Sequence, residues 1–358
     1  MSEEHRKFVE FFSFKRILIP VLLGIGVALY LVFRNFDPEP FLEVRWGAGS
    51  LFWFSLAILM IIIRQLAYMY RIWLLTDHKI SWKQAFDIII LWEFSSAITP
   101  SVVGGSAIAL YILSKEGISP GRSTALVLVT AFLDELFYIL IVPAALILAG
   151  AGVLFEFSGK GSSLGLDYGI DFIFVIGYLF ILVLILIITY GLFIRPRAVK
   201  WLLLRVFSTK FLKKWKRQAA AAGDDIIISS GELRGKHSNF WVKAFGSTFI
   251  SWTSRFLTVN FLILAIGGTG EQLVIFAKQL VMWVILLISP TPGSSGIAEI
   301  IFSDFLVDYI PAGLNHAVAL IWRLLTFYPY IIFGAIILPI WITRIMAHKH
   351  HTEKHEIQ

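Results

Sequence analysis

Two arginines stand where lipid tolerates charge badly. Arg64 lies inside the apolar run Ser50–Tyr70, and Arg255 inside Phe240–Ile266. An ionised side chain within a spanning segment is rare, and it faces a partner, a cavity or a substrate. A guanidinium presents a planar fork of donors that matches phosphate geometry. Each arginine precedes a second unusual feature by nearly the same distance. Arg64 comes 36 positions before Pro100 in Thr99-Pro100-Ser101-Val102-Val103-Gly104-Gly105-Ser106. Arg255 comes 35 positions before Pro290 in Ser289-Pro290-Thr291-Pro292-Gly293-Ser294-Ser295-Gly296. Both stretches open with a proline between two hydroxyl residues and run on into Gly and Ser. Both interrupt apolar runs too short to cross a bilayer, which takes about 20 residues. Two structural repeats are expected.

Backbone groups freed by such breaks are tolerated at membrane depth only where protein or a wet cavity receives them. Half-helices beginning near Ser106 and Gly296 would aim free N–H groups and a positive dipole end into that cavity, which suits a phosphate. The candidate substrate-lining residues are therefore Arg64, Thr99, Pro100, Ser101, Gly104, Gly105 and Ser106 in the first half. In the second they are Arg255, Ser289, Pro290, Thr291, Gly293, Ser294, Ser295 and Gly296. The hydroxyls have a plainer role open to them, capping helices and satisfying broken backbone. For Arg64 and Arg255 the alternatives are an internal ion pair, with Glu93, Asp134 and Glu135 as available partners, or snorkelling to an interface. Arg323 falls within one residue of Asp134 in the repeat register, so these two are expected to form one buried pair. Glu299 sits in the first turn of its half-helix, where the dipole alone stabilises a carboxylate. Proton coupling through Glu299 or Glu93 is the functional alternative. Lys278 is expected near the outer interface.

The elements that must position these residues are helices. Hydrophobic residues make up 58% of the 358, too many for a soluble domain of this length. The alternating ten-residue strands of an outer-membrane barrel are absent. The expected fold is an all-α polytopic membrane protein, with about six full transmembrane helices and two re-entrant broken-helix hairpins in inverted-topology repeats. A net charge of +7 does not point to nucleic acid, because the bases gather in loops and tails as the positive-inside rule requires. With no cysteine there is no disulfide and no thiolate metal site. The histidines of the tail (His348, His350, His351, His355) are too loosely spaced for one, and no cofactor is expected.

In chain order, residues 1–16 are basic and cytoplasmic, and Ile17–Phe33 is an uncleaved first span. Ser50–Tyr70 returns to Arg71, His78, Lys79 and Lys83 in the cytoplasm. A re-entrant hairpin, 84–114, closes on Lys115 and Glu116. Ser123–Gly150 crosses outward and Asp171–Ile194 crosses back, completing a first membrane repeat at 17–194. Between Arg195 and Arg217 lie nine Lys or Arg and no acid. Interleaved aromatics make 195–239 a basic amphipathic cytoplasmic linker, lying on the anionic leaflet or packed on the protein. The second repeat, 240–343, holds Phe240–Ile266, a hairpin at 272–310 entering from outside, and a last span Leu314–Ile342. The tail, 344–358, is cytoplasmic. Inverted repeats with two broken pairs are typical of secondary transporters with a midplane site.

The two hairpin motifs, the arginine-bearing helix before each, and Arg323 with Tyr328 and Gly334 in the last span resemble a known family. It is the flippase-like family of the transmembrane region of lysylphosphatidylglycerol synthases (MprF type) and the YbhN-type membrane proteins. The likeness covers roughly residues 15–345. It implies the moving or handling of lipids, among them aminoacylated phosphatidylglycerol and polyprenyl-linked glycolipids. The synthases carry a soluble acyltransferase-like domain after the membrane region; with the sequence ending at Gln358, lysyl transfer is not expected. The second loop also departs from the family's pattern, carrying Ser294-Ser295 where a Gly-Gly pair is usual.

The expected function is thus a flippase-like transporter of the cytoplasmic membrane with both termini inside, taking an anionic phospholipid or a polyprenyl-phosphate-linked lipid. A lipid-binding scaffold without transport is the alternative. The remote one is an intramembrane hydrolase built on Gly293-Ser294-Ser295-Gly296 and His316. It lacks a Gly-x-Ser-x-Gly elbow, a His-Glu-x-x-His motif and a P-loop, so neither an enzyme nor an ATP-driven pump is expected.

Overall fold

A computed structural model describes residues 47–99, 102–155, 169–209, 213–287, 289 and 291–355. The expected span Ile17–Phe33 and the residues Pro100, Ser101 and Pro290 lie outside them. Among the described residues there are thirteen α-helices and no strand. Five helical segments are long and apolar enough to cross a membrane: Ala48–Leu75, Pro120–Ala149, Asp171–Ile194, Ser238–Ala265 and Asn315–Ile345. They coincide with five of the six expected spans. This is an all-α polytopic membrane protein.

The first half begins with α1 (Ala48–Leu75), then the pair α2 (Trp82–Ile98) and α3 (Val102–Lys115), then α4 (Pro120–Ala149). Helix α2 starts on a capping box, in which Gln84 N donates to Ser81 Oγ (3.2 Å) and Ser81 N to Gln84 Oε1 (2.8 Å). It stops at Ile98 because Thr99 precedes a proline and is driven to extended backbone (φ −102°, ψ 139°). A short α5 (Ala151–Phe155) and α6 (Ile170–Thr189, closing in a π turn at Tyr190–Ile194) follow. Phe172, Leu179, Leu186 and Ile187 of α6 are exposed, the outward apolar face that a lipid-contacting helix needs.

The segment expected as a basic linker is two packed helices, α7 (Pro196–Val206) and α8 (Lys216–Arg234). Helix α8 docks on α4, where Gly121 meets Ala222, Asp225 and Ile226 so closely that a Cβ would overlap them. The second half repeats the first: α9 (Ser238–Ala265), α10 (Gln272–Leu286) and α11 (Ile297–Leu306), then α12 (Asn315–Thr326) and α13 (Tyr328–His355). Helices α1 and α9 are both 28 residues long, and their ends, 48 to 238 and 75 to 265, are 190 positions apart. Helices α2 and α10 start at 82 and 272, the same interval.

Equivalent helices run in opposite directions. Trp53, early in α1, stacks on Phe261, late in α9, at 5.7 Å between centroids. Arg71, late in α1, donates to Thr248, early in α9, at 2.9 Å. The two helices are therefore antiparallel along their length, and Arg64 and Arg255 face each other's helix near the middle. One end of the molecule is laced by charges. Arg122 pairs with Asp77 (2.6 Å) and Glu232, Lys236 with Asp77 (2.5 Å), and Arg344 with Asp87 (3.0 Å) and Glu116. These contacts gather the open end of α2–α3 at that basic end. The open end of α10–α11 lies opposite, where Thr269 N donates to Tyr309 O (3.2 Å) and Asn260 to Gln272 O (2.7 Å).

Two expectations are corrected. Helix α1 continues to Leu75, so Arg71 is a buried helical residue rather than part of a cytoplasmic loop. The last span is broken at Phe327 (φ −122°, ψ −56°). Pro329 has no N–H to continue the ladder, and its ring conflicts with the carbonyl four residues back.

Candidate functional site

The two helix-pair tips meet in the middle of the protein. Gly293, at φ +55°, lies so close to both Ala97 and Phe327 that a Cβ would overlap the Phe327 ring and come 3.1 Å from Ala97 O. Glycine is required there for both its backbone angle and its bareness. Next to this contact opens a cavity of about 290 Å³. Of the candidate residues, Thr99, Ser106, Ser289, Thr291, Gly293 and Ser294 line it, with Arg255, Arg323, Glu93, Asp134 and Glu135. Gly105 does not; it lets α3 close onto Ser96 of α2, where a Cβ would overlap that hydroxyl. Ser295 and Gly296 are buried behind the second tip. Several tip hydroxyls serve the backbone: Thr99 donates to Ser95 O (2.7 Å), and Ser294 Oγ contacts Leu286 O at 3.4 Å.

Most charges around the cavity are matched, Glu135 and Arg255 being the exceptions among the described residues. Arg64, buried and outside the lining, donates to Glu93 at 2.7 Å and to the Tyr330 hydroxyl. The Tyr330 hydroxyl in turn donates to Gln65 Oε1 (3.1 Å), tying α13 to α1. Arg71 grips Asp134 with both Nη atoms (2.5 and 3.3 Å), and Trp252 Nε1 adds a third bond to Asp134 Oδ1 (2.9 Å). The expected Asp134–Arg323 pair does not form. Arg323 donates instead through Nε to Glu299 (2.8 Å) and through Nη2 to Gly293 O (3.0 Å). Glu299's other oxygen caps Gly296 N at 2.7 Å. Both Glu299 oxygens are thus engaged in holding the second tip, which is the structural role for that residue. The repeat register misleads because Arg71 and Glu299, each nearer in space, have no counterpart in the other half.

Arg255 differs. It has no carboxylate or hydrogen-bond partner among the described residues; its guanidinium sits over the Trp283 ring, 3.9 Å from the centroid, with Trp252 at 5.2 Å. Cation–π contact of this kind contributes about 0.5–2 kcal/mol, less than a desolvated ion pair, and it leaves the donors of the fork unfilled. Aromatic residues complete the wall: Tyr68, Trp92, Tyr138, Trp252, Trp283, Trp322, Phe327 and Tyr330. Tyr328 is buried away from the cavity with its hydroxyl unpartnered. His316 Nδ1 lies 3.0 Å from Ser303 Oγ and so engages a different serine from those of the tip. Among the described residues no cluster of three or more His, Cys, Asp or Glu could hold a metal.

Sequence reasoning missed Arg71 and the tryptophans. Arg71 stands seven residues after Arg64, two helical turns on and therefore on the same face, a spacing that would have placed it in the site.

The sequence model of the lysylphosphatidylglycerol synthase TM region matches residues 17–334. The chain belongs to that family. A UPF0104 membrane protein of Archaeoglobus fulgidus is 24% identical over 328 residues, covering 89% of this chain and 95% of the archaeal protein. No solved structure matches. As a member of the lysylphosphatidylglycerol synthase TM-region family, the protein has a membrane lipid-related role.

Proposed function

We propose that this protein binds the phosphate-bearing head group of a membrane lipid between its two helix-pair tips and carries it across the cytoplasmic membrane. The acyl or prenyl chains would stay in the bilayer. The observation that carries this reading is Arg255. It is a guanidinium on a cavity wall with no carboxylate partner among the described residues, with unfilled donors of the geometry a phosphate takes. Family membership supports it, as do tips that meet from opposite ends of an antiparallel repeat, the arrangement alternating access uses. Under the positive-inside rule the basic end faces the cytoplasm, with both termini there. Helices α2–α3 would then re-enter from inside and α10–α11 from outside. On this reading the protein is a carrier and not an enzyme.

The test is native mass spectrometry of protein released in mild detergent, with lipid analysis of what co-purifies, for wild type, Arg255→Ala and Arg64→Ala. One phosphate-bearing lipid class is expected to be enriched on wild type and lost from Arg255→Ala. Bulk lipid alone on all three would overturn the head-group site. Retention without leaflet-to-leaflet movement in proteoliposomes would leave lipid binding without transport.

A further inference from the structure

Buried polar atoms that lack any hydrogen-bond partner occur at several places in the described residues, but those on cavity-lining residues are confined to one helix. They are Thr130 Oγ1, Glu135 Oε2 and Tyr138 Oη of α4. The three residues are 6%, 8% and 2% exposed. They share one face of α4 and span roughly 12 Å along it at 1.5 Å per residue. Asp134 lies among them and shows what a satisfied group looks like there, with bonds from Arg71 and Trp252. Leaving a buried donor or acceptor unmade is costly, and in a hydrocarbon setting no bulk water makes up the loss.

We infer that this face of α4 is a second pole of the cavity, joined to Arg255 through the Trp252 ring that both contact, that receives hydrogen-bond donors carried on the head group beyond its phosphate. The inference rests on the head-group reading above and narrows it: the lipid bears hydroxyl or ammonium substituents. Phosphate engages Arg255. The substituent donates to Glu135 and is framed by the hydroxyls of Thr130 and Tyr138. Trp252, against the Tyr138 ring at 5.1 Å between centroids, closes that side. Hydroxyl and ammonium donors share this chemistry, and the test separates them.

The protein is placed in nanodiscs containing equal fractions of phosphatidylglycerol, phosphatidylethanolamine and phosphatidylethanol, then released for native mass spectrometry. Phosphatidylethanol is a phosphodiester with the charge of phosphatidylglycerol and no donor. Wild type is expected to retain phosphatidylglycerol (the hydroxyl source) or phosphatidylethanolamine (the ammonium source) about tenfold or more over phosphatidylethanol, the scale of one charge-assisted hydrogen bond. Thr130→Val, Tyr138→Phe and Glu135→Gln are expected to shrink that ratio towards one while leaving retention of phosphatidylethanol unchanged. The first two remove hydroxyls that have no hydrogen-bond partner within the protein, so they should melt no lower than wild type, and a lost preference would not reflect unfolding. Equal retention of all three lipids by wild type would overturn the second pole, as would variants that keep the preference. If Arg255→Ala then still released all three, the phosphate reading would stand without it.

Discussion

The two halves of the molecule place an arginine within one residue of the same point of the same helix and then treat it differently. In the first half, Arg64 is held by Glu93 at 2.7 Å and by Tyr330. The position 190 residues on from Glu93 is Trp283, and there the aromatic ring takes the carboxylate's place beneath Arg255. A carboxylate neutralises a guanidinium and fills its donors; an indole face supports the charge and leaves the donors free. The scaffold is nearly two-fold, and its site arises where the two-fold fails. One copy of the arginine became frame and the other became available.

The largest effect is expected at the charged pair that braces the second tip. Arg323→Ala leaves Glu299 buried without its counter-charge and frees Gly293 O, and should destabilise by about 3–5 kcal/mol. Thermal unfolding in detergent, followed by fluorescence-detected chromatography, would register this as early aggregation. Replacing both partners with apolar residues of similar volume should recover much of the loss. Arg64→Ala comes next. Its abandoned partner Glu93 is 25% exposed in its side chain, so the cost should be about 2 kcal/mol, below the range for a fully buried pair. Gly293→Ala should cost about 1–2 kcal/mol from the left-handed backbone alone, with displacement of Phe327 added. A melting temperature equal to wild type would mean the tip rearranges freely.

Smallest in stability, and most telling for the comparison, is Arg255. Arg255→Ala removes no ion pair and should shift stability by about 1 kcal/mol or less, the scale of an exposed cation–π contact, while abolishing lipid retention. Trp283→Glu transplants the first half's solution into the second. The new carboxylate should pair with Arg255, keep the protein folded and lose the head group as completely as Arg255→Ala does. If Trp283→Glu retained lipid, the free fork would not be the anchor. The orientation of the frame is open to a direct check, since the chain has no cysteine. Single cysteines at Lys115 and Asp308 should be labelled from opposite sides of the membrane.

The fold was legible in the sequence because apolar length and broken runs are one-dimensional signals. Five of the spans and both helix pairs fall within a few residues of their expected limits, and the hydroxyl, proline and glycine clusters mark both tips. Pairing was less legible. Arg71 sits so near the end of its apolar run that it read as loop, although its seven-residue spacing from Arg64 put it on the same face. Trp283 carried no signal by itself, since one aromatic in an apolar helix is ordinary, and only its place under Arg255 gives it meaning. The orphaned atoms of α4 could not have been found at all, because an unmet hydrogen bond is a property of three-dimensional surroundings.

The break at Phe327 has a mechanical consequence. A continuous helix behaves as a stiff rod, whereas one interrupted for a single residue passes thrust along its axis and little bending. Arg323, just before the break, holds the second tip; Tyr330, just after it, holds Arg64 of the first half. The brace of one half and the brace of the other are thus mounted on two short levers that share a pivot, so either can tilt without dragging the other out of register.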